Sequence, residues 1–208
     1  VRSRGAKGKP IYVPEFDPGA HEYRWEGKVY IGATKLLTIT GLWEFFHADP
    51  VTMAEALKRG KLVHAATVQR DDGEPVTLES EYMGYLCAYD AFRETNSFMA
   101  SPSWTELPLC DPALGIAGTP DRVGYFGPKL TEAVLDIKTG DVHPSIGIQL
   151  AIYRHLLAVN GFPVVHRLGL HLRADGTFRL YEYTEPGDHA AFLAALAIYR
   201  WRQKAQAA

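Results

Sequence analysis

An α/β fold with a central mixed β-sheet flanked by helices is predicted by three features of the 208-residue chain. The texture changes midway, from apolar residues at helical spacing to runs of β-formers separated by turn residues. The element order from residue 50 onward is helix–helix–strand–strand–strand–helix–strand–strand–helix, which a mixed sheet accommodates. The composition, 47% hydrophobic and 22% charged, is ordinary for one globular core carrying an N-terminal element. Residues 1–49 are read as a tail, hairpin and short helix packed on the core, and 50–208 as the core itself.

Arg2, Arg4, Lys7 and Lys9 open the chain without an acidic residue between them and read as a solvated tail, in preference to a targeting segment or an anion-gripping arm. Residues 10–19 carry three prolines and a glycine and read as irregular. His21 to Ile31 has the pattern of a hairpin: Tyr23 and Trp25, a turn at Glu26-Gly27-Lys28, then Val29 and Ile31. A short helix over Thr34–Thr40 stops at Gly41. Pro50 suits a first helical turn, and Met53, Leu57, Lys61 and His64 define one stripe of a helix to about Gln69. A break at Asp71-Asp72-Gly73-Glu74-Pro75 leads to a second helix, Leu78–Thr95, with Tyr82, Tyr85, Leu86, Tyr89 and Phe92 at helical spacing. Strands are predicted over Trp104–Cys110, Gly115–Phe126 and Leu130–Thr139. A helix over Ser145–Asn160 ends at Gly161. Strands near Val164–Arg173 and Thr177–Tyr183 are joined at Ala174-Asp175-Gly176, and a helix over Pro186–Lys204 closes the chain.

Composition narrows the chemistry. Cys87 and Cys110 are too few for a disulfide framework or a four-cysteine iron–sulfur cluster. No apolar run reaches the ~18 residues that span a bilayer, and no secretory h-region stands near the N-terminus, so a cytoplasmic setting without membrane contact is expected. The formal net charge of −2 means that any polyanion would have to be held by a local positive patch.

The informative stretch is Gly118-Thr119-Pro120-Asp121 followed by Leu135-Asp136-Ile137-Lys138-Thr139-Gly140. Side chains alternate along a strand, so Val134, Asp136 and Lys138 share one face, and Ala133, Leu135 and Ile137 share the other, expected to be the buried one. Asp121, on the preceding strand, could meet Asp136 across the ladder. Two carboxylates that close repel unless a divalent cation lies between them. Hard oxygen donors favour Mg²⁺ or Mn²⁺, and a neighbouring lysine can orient or deprotonate a water. Read alone, Asp136 and Lys138 would be an ordinary cross-strand ion pair. Pro120 cannot donate within a strand, so a bulge or strand end is expected there.

Pro120-Asp121, a spacer holding a turn, and Asp136-Ile137-Lys138 on a strand together resemble the signature of the PD-(D/E)XK nucleases. Gln149 and Tyr153, one helical turn apart, resemble the Q-x-x-x-Y motif of RecB-like members, and Gly60-Lys61-Leu62-Val63-His64 resembles the helix that brings a histidine to the metal. The resemblance covers about residues 50–173, and the hairpin and helix before it are similar to the front end of phage-type exonucleases. It implies a restriction-endonuclease-like core without an iron–sulfur cluster and a Mg²⁺- or Mn²⁺-dependent deoxyribonuclease. The implied activity is exonucleolytic, on single-stranded or end-containing DNA in recombination or repair, with recombination or replication proteins as further partners. A structure-specific endonuclease and a non-catalytic DNA-binding member are the alternatives. By the same resemblance, Asp121, Asp136, the Ile137 carbonyl and His64 would bind the metal, and Lys138 would position the water. Gln149 and Tyr153 would steady the site or touch substrate, and Glu106 would bond to active-site groups. Glu79 and Glu81 are alternative acidic ligands that read more simply as helix-surface charges. Lys58, Arg59, Lys61, Arg70, Arg122, Arg154 and Trp104 could line a strand-binding groove, although each also reads as an ordinary surface charge or, for Trp104, as core.

Overall fold

The computed structural model describes residues 3–4, 10–43, 49–95 and 97–206. Arg2, Lys7 and Lys9 of the basic opening lie outside the described residues. Strands β1 (Ser3–Arg4) and β2 (Pro10–Ile11) pair, and β3 (Glu15–Asp17), β4 (Glu22–Trp25) and β5 (Lys28–Gly32) form a meander. Its β4–β5 turn places Glu26 and Gly27 at φ 49° and 75°, the left-handed pair that matches strand twist in a tight hairpin. Helix α1 (Ala33–Ile39) follows. Helix α2 (Pro50–Asp71) starts where the Asp49 carboxylate accepts from the backbone N–H groups of Val51 and Thr52, both at 3.0 Å, with Pro50 in the first turn. A 3₁₀ turn (Ser80–Tyr82) precedes α3 (Met83–Glu94). The remaining elements are β6 (Phe98–Ala100), a 3₁₀ turn (Pro102–Trp104), β7 (Leu109–Asp111), β8 (Ile116–Gly118), β9 (Arg122–Phe126), β10 (Thr131–Lys138), α4 (Ser145–Val159), β11 (His166–Leu172), β12 (Phe178–Glu182) and α5 (Gly187–Gln206).

Two five-stranded mixed sheets result, ordered β12-β11-β10-β9-β6 and β3-β4-β5-β8-β7. β10 runs parallel to β11 and antiparallel to β9, and β5 runs parallel to β8. The mixed α/β class is therefore the one the sequence predicts. Ala133, Leu135 and Ile137 of β10 pack with Val63 of α2 and with Tyr89 and Phe92 of α3. Val134, on the other face, packs with residues of α1, α4 and α5. Among the described residues no helix is long and apolar enough to cross a membrane.

Several sequence expectations change. The Val134 face of β10, expected to be the open one, is closed as well: Val134 and Asp136 are 0% and 1% exposed. The strand is central to its sheet, and helices cover both faces. Trp104–Cys110 is not one strand: Trp104 ends a 3₁₀ turn, Pro108 cannot donate to a ladder, and Glu106 sits at φ 47°. Gly115–Phe126 is broken at Thr119–Asp121, and its halves, β8 and β9, belong to different sheets. The buried stripe of α2 runs through Val63, Ala66 and Thr67, while Leu57 and Lys61 are exposed. β6 and β3 arise in stretches that read as connecting segments.

Candidate active site

Asp121 follows the break forced by Pro120. Its Oδ2 accepts from the backbone N–H of Ile137 at 2.6 Å, so the carboxylate is fixed against β10 by a charge-assisted bond to the main chain. The break itself is packed tightly: a Cβ on Gly118 would lie 2.8 Å from Tyr153 Cε1, and the Tyr23 hydroxyl is 3.1 Å from Thr119 Oγ1. His64, one turn beyond Gly60 on α2, brings Nε2 to 3.0 Å from the Ile137 carbonyl and Nδ1 to 3.5 Å from Asp121 Oδ1. The main chain of Ile137 is thus gripped on both sides, its N–H by Asp121 and its carbonyl by His64.

Asp136 points to the α4 side, where Lys138 Nζ is 2.5 Å from its Oδ2. Burial raises the Asp136 carboxyl from the ordinary 3.8 to about 6, Lys138 opposing the rise and Asp121 adding to it. On α4, Gln149 Nε2 donates to the Tyr153 hydroxyl at 2.8 Å. Burial holds that phenol well above its usual range, with Asp136 and Asp121 contributing, so it stays a neutral hydroxyl at the site. Glu106 lies in the irregular segment before β7, its N–H donating to the Asp121 carbonyl at 3.2 Å. Burial and Asp121 raise its carboxyl, while His64 and Arg122 lower it.

The structure brings Asp121, Ile137, His64, Asp136, Lys138, Gln149, Tyr153 and Glu106 into one region. The groove residues are dispersed. Arg122 is buried: Nε donates to Asp71 Oδ2 at 2.7 Å, and its other nitrogens donate to the Asp121 carbonyl at 2.8 Å and to Thr67 Oγ1 at 3.1 Å. It braces the strand that carries Asp121 and presents no groove surface. Lys61 is exposed. Arg154 lines a separate cavity of about 440 Å³ with His155, Arg167 and Glu185, which includes none of the carboxylates above. Arg70 pairs with Asp90 at 3.0 Å and Lys58 with Glu79 at 3.2 Å. Trp104 packs in the core beside Phe162. Arg59 does reach the site, donating to Thr139 Oγ1 at 3.3 Å.

Sequence reasoning missed Trp43 and His143, whose rings stack at 5.8 Å with Lys138 Nζ 5.7 Å from the Trp43 ring. Neither belongs to a periodic segment. The place of His143, just after the Lys138-Thr139-Gly140 strand end, was the available signal.

By donor chemistry, two carboxylates and a backbone carbonyl suit a hard divalent cation, and the raised Asp136 carboxyl marks a place where buried negative charge lacks full compensation. Among the described residues, no group of three or more His, Cys, Asp or Glu side chains converges at metal-holding distance. Asp136 is turned onto Lys138, and His64 onto the Ile137 peptide.

No family model matches the chain, and no curated protein matches it in sequence. Among solved structures, a protein of Eubacterium rectale assigned as an exonuclease aligns over 83% of this chain and 79% of its own, at 12% identity and a TM-score of 0.51. An alkaline exonuclease from Laribacter hongkongensis aligns over 86% of this chain and 95% of its own, at 14% identity and a TM-score of 0.39. The first of these shows a shared fold. Fold and site together define a mixed α/β protein with a carboxylate–lysine centre on its middle strand.

Proposed function

We propose that the protein is a divalent-metal-dependent nuclease that hydrolyses phosphodiester bonds in DNA, acting on ends as an exonuclease in recombination or repair. One observation carries the reading: Asp136 and Lys138 lie paired on one face of β10, while Asp121 and His64 clasp the intervening Ile137 peptide. The fold shared with a protein assigned as an exonuclease supports it.

Asp121, Asp136, the Ile137 carbonyl and His64 would hold Mg²⁺ or Mn²⁺, which when bound neutralises charge on the phosphate and acidifies a water. Lys138 does the positioning: tied to Asp136 and set beside Trp43, its ammonium can direct the attacking water. Tyr153, kept neutral, offers a hydroxyl oriented by Gln149. Arg122 and Glu106 hold the Asp121 backbone in place.

The test uses end-labelled linear and circular DNA, single- and double-stranded, with Mg²⁺, Mn²⁺ or excess chelator. Linear substrates are expected to be degraded only with metal, and circular ones to persist. Full activity in chelator overturns the mechanism, and cutting of circular single strands reassigns the protein as an endonuclease.

A further inference from the structure

At the C-terminal ends of β10 and β11 the fold opens into a cavity of about 330 Å³. Lys138 is in register with His171, and His171 with Arg179, so the three side chains leave the same face of three neighbouring strands. Arg173, at the end of β11, and Arg59, placed by Thr139 and by the Tyr85 ring 5.7 Å away, line the same cavity. Its wall carries three guanidinium groups against one carboxylate, Asp141.

Among the described residues, Arg59, Arg173 and Arg179 have no ion-pair partner, as Arg154, Arg200 and Arg202 have none, whereas Arg24, Arg70, Arg93, Arg122 and Arg167 each lie within 3.5 Å of a carboxylate; only the first three share one cavity. His171 supplies a second observation. It is 4% exposed, its Nδ1 lies 3.3 Å from the Gly140 carbonyl, and its Nε2 has no partner. Nδ1 carries the proton it donates to that carbonyl, and burial lowers the imidazole pKa, so the open Nε2 is an acceptor that a water or a protonated phosphate oxygen would meet. Guanidinium groups match phosphate oxygens in geometry as well as charge. About two strand spacings, roughly 10 Å, separate the Lys138 and Arg179 backbones, a reach of a few nucleotides.

We propose that this cavity is a phosphate-binding site, in which Arg59, Arg173 and Arg179 hold a phosphate of the same strand whose scissile bond lies at Lys138. The assignment of that phosphate to a nucleic-acid strand rests on the nuclease reading. A terminal phosphate and a backbone phosphate present the same chemistry, and the experiment separates them.

The test is binding of 3′-labelled single-stranded oligonucleotides, with a 5′-phosphate or a 5′-hydroxyl, by the full chain in chelator at several salt concentrations. The R173Q/R179Q double variant changes two exposed side chains. It is expected to bind at least tenfold more weakly, with a salt slope shallower by about 0.7 for each phosphate that is no longer neutralised. R24Q, on the N-terminal hairpin, serves as the charge control and is expected to keep both values. Weakening confined to the 5′-phosphorylated oligonucleotide identifies a terminal phosphate, and equal weakening on both identifies the backbone. Wild-type affinity and slope in the double variant overturn the proposal.

Inorganic phosphate, titrated against both proteins and followed through the His171 imidazole NMR signals, gives a readout independent of cleavage. Shifts in the wild type alone support the site even if no DNA is cut, a result that would sink the nuclease reading by itself. Absence of shifts in the wild type counts against the site whatever the cleavage assay gives.

Discussion

Replacing Asp136 by asparagine is expected to stabilise the metal-free protein at neutral pH while abolishing cleavage. The carboxyl is 1% exposed, and burial raises it from 3.8 to about 6 in the fold, even with Lys138 at 2.5 Å. A carboxyl raised in the folded state favours folding in its protonated form. That contribution is fully present below pH 3.8 and is lost as pH rises through 6. At about 1.4 kcal/mol per pH unit, ionised Asp136 costs the fold roughly 3 kcal/mol at pH 8. Asparagine mimics the protonated acid and avoids that cost. For a chain of this length the gain corresponds to about 6–12 °C in Tm. The assay is thermal unfolding of wild type and D136N in chelator between pH 4 and pH 8. The gap is expected to open between pH 4 and 6 and then level off. A constant gap across that range, or a less stable variant at pH 8, refutes the reasoning.

Lys138→Ala is expected to slow single-turnover cleavage by ~10²–10⁴-fold at saturating DNA with binding changed only a few-fold; near wild-type turnover would demote the lysine to holding a phosphate. Arg122→Ala removes a buried side chain and one partner of Asp71, which keeps the Tyr89 hydroxyl at 2.7 Å and Arg93 at 3.5 Å, and should cost about 2–3 kcal/mol in urea unfolding, so an unchanged midpoint would show that Arg122 is not the brace described. Gly118→Ala drives a methyl toward Tyr153 Cε1 and should cost about 1–3 kcal/mol, with cleavage falling more than DNA affinity; wild-type stability and rate would mean that the Tyr153 ring yields freely.

The Asp136–Lys138 and Gln149–Tyr153 pairs of the candidate site were legible because each lies within one strand or one helix. Alternation alone puts Asp136 and Lys138 on one face, and a four-residue step brings Gln149 to Tyr153, as the 2.8 Å bond shows. What escaped was long-range. Arg122 reads as a groove cation because its partner, Asp71, is 51 residues away in a stretch that reads only as a chain break. The burial of β10 on its polar face depends on α4 and α5 folding over it, which no local pattern states. The division of Gly115–Phe126 between two sheets was half visible: Pro120 signals an interruption, but not that the chain changes sheet there. The Lys138–His171–Arg179 row needs the strand register, which sequence alone leaves open.

That change of sheet ties the two halves of the chain to a single carboxylate. Immediately before Asp121 the backbone is held by β8, whose parallel neighbour β5 belongs to the N-terminal meander, and by the contact of Thr119 with Tyr23. Immediately after it, β9 is locked into the register of β10. Asp121 therefore works like a rivet through two overlapping plates, its position fixed only while both are in place. The β4–β5 hairpin, although it contributes none of the acidic or basic groups described at the centre, is part of what sets its geometry.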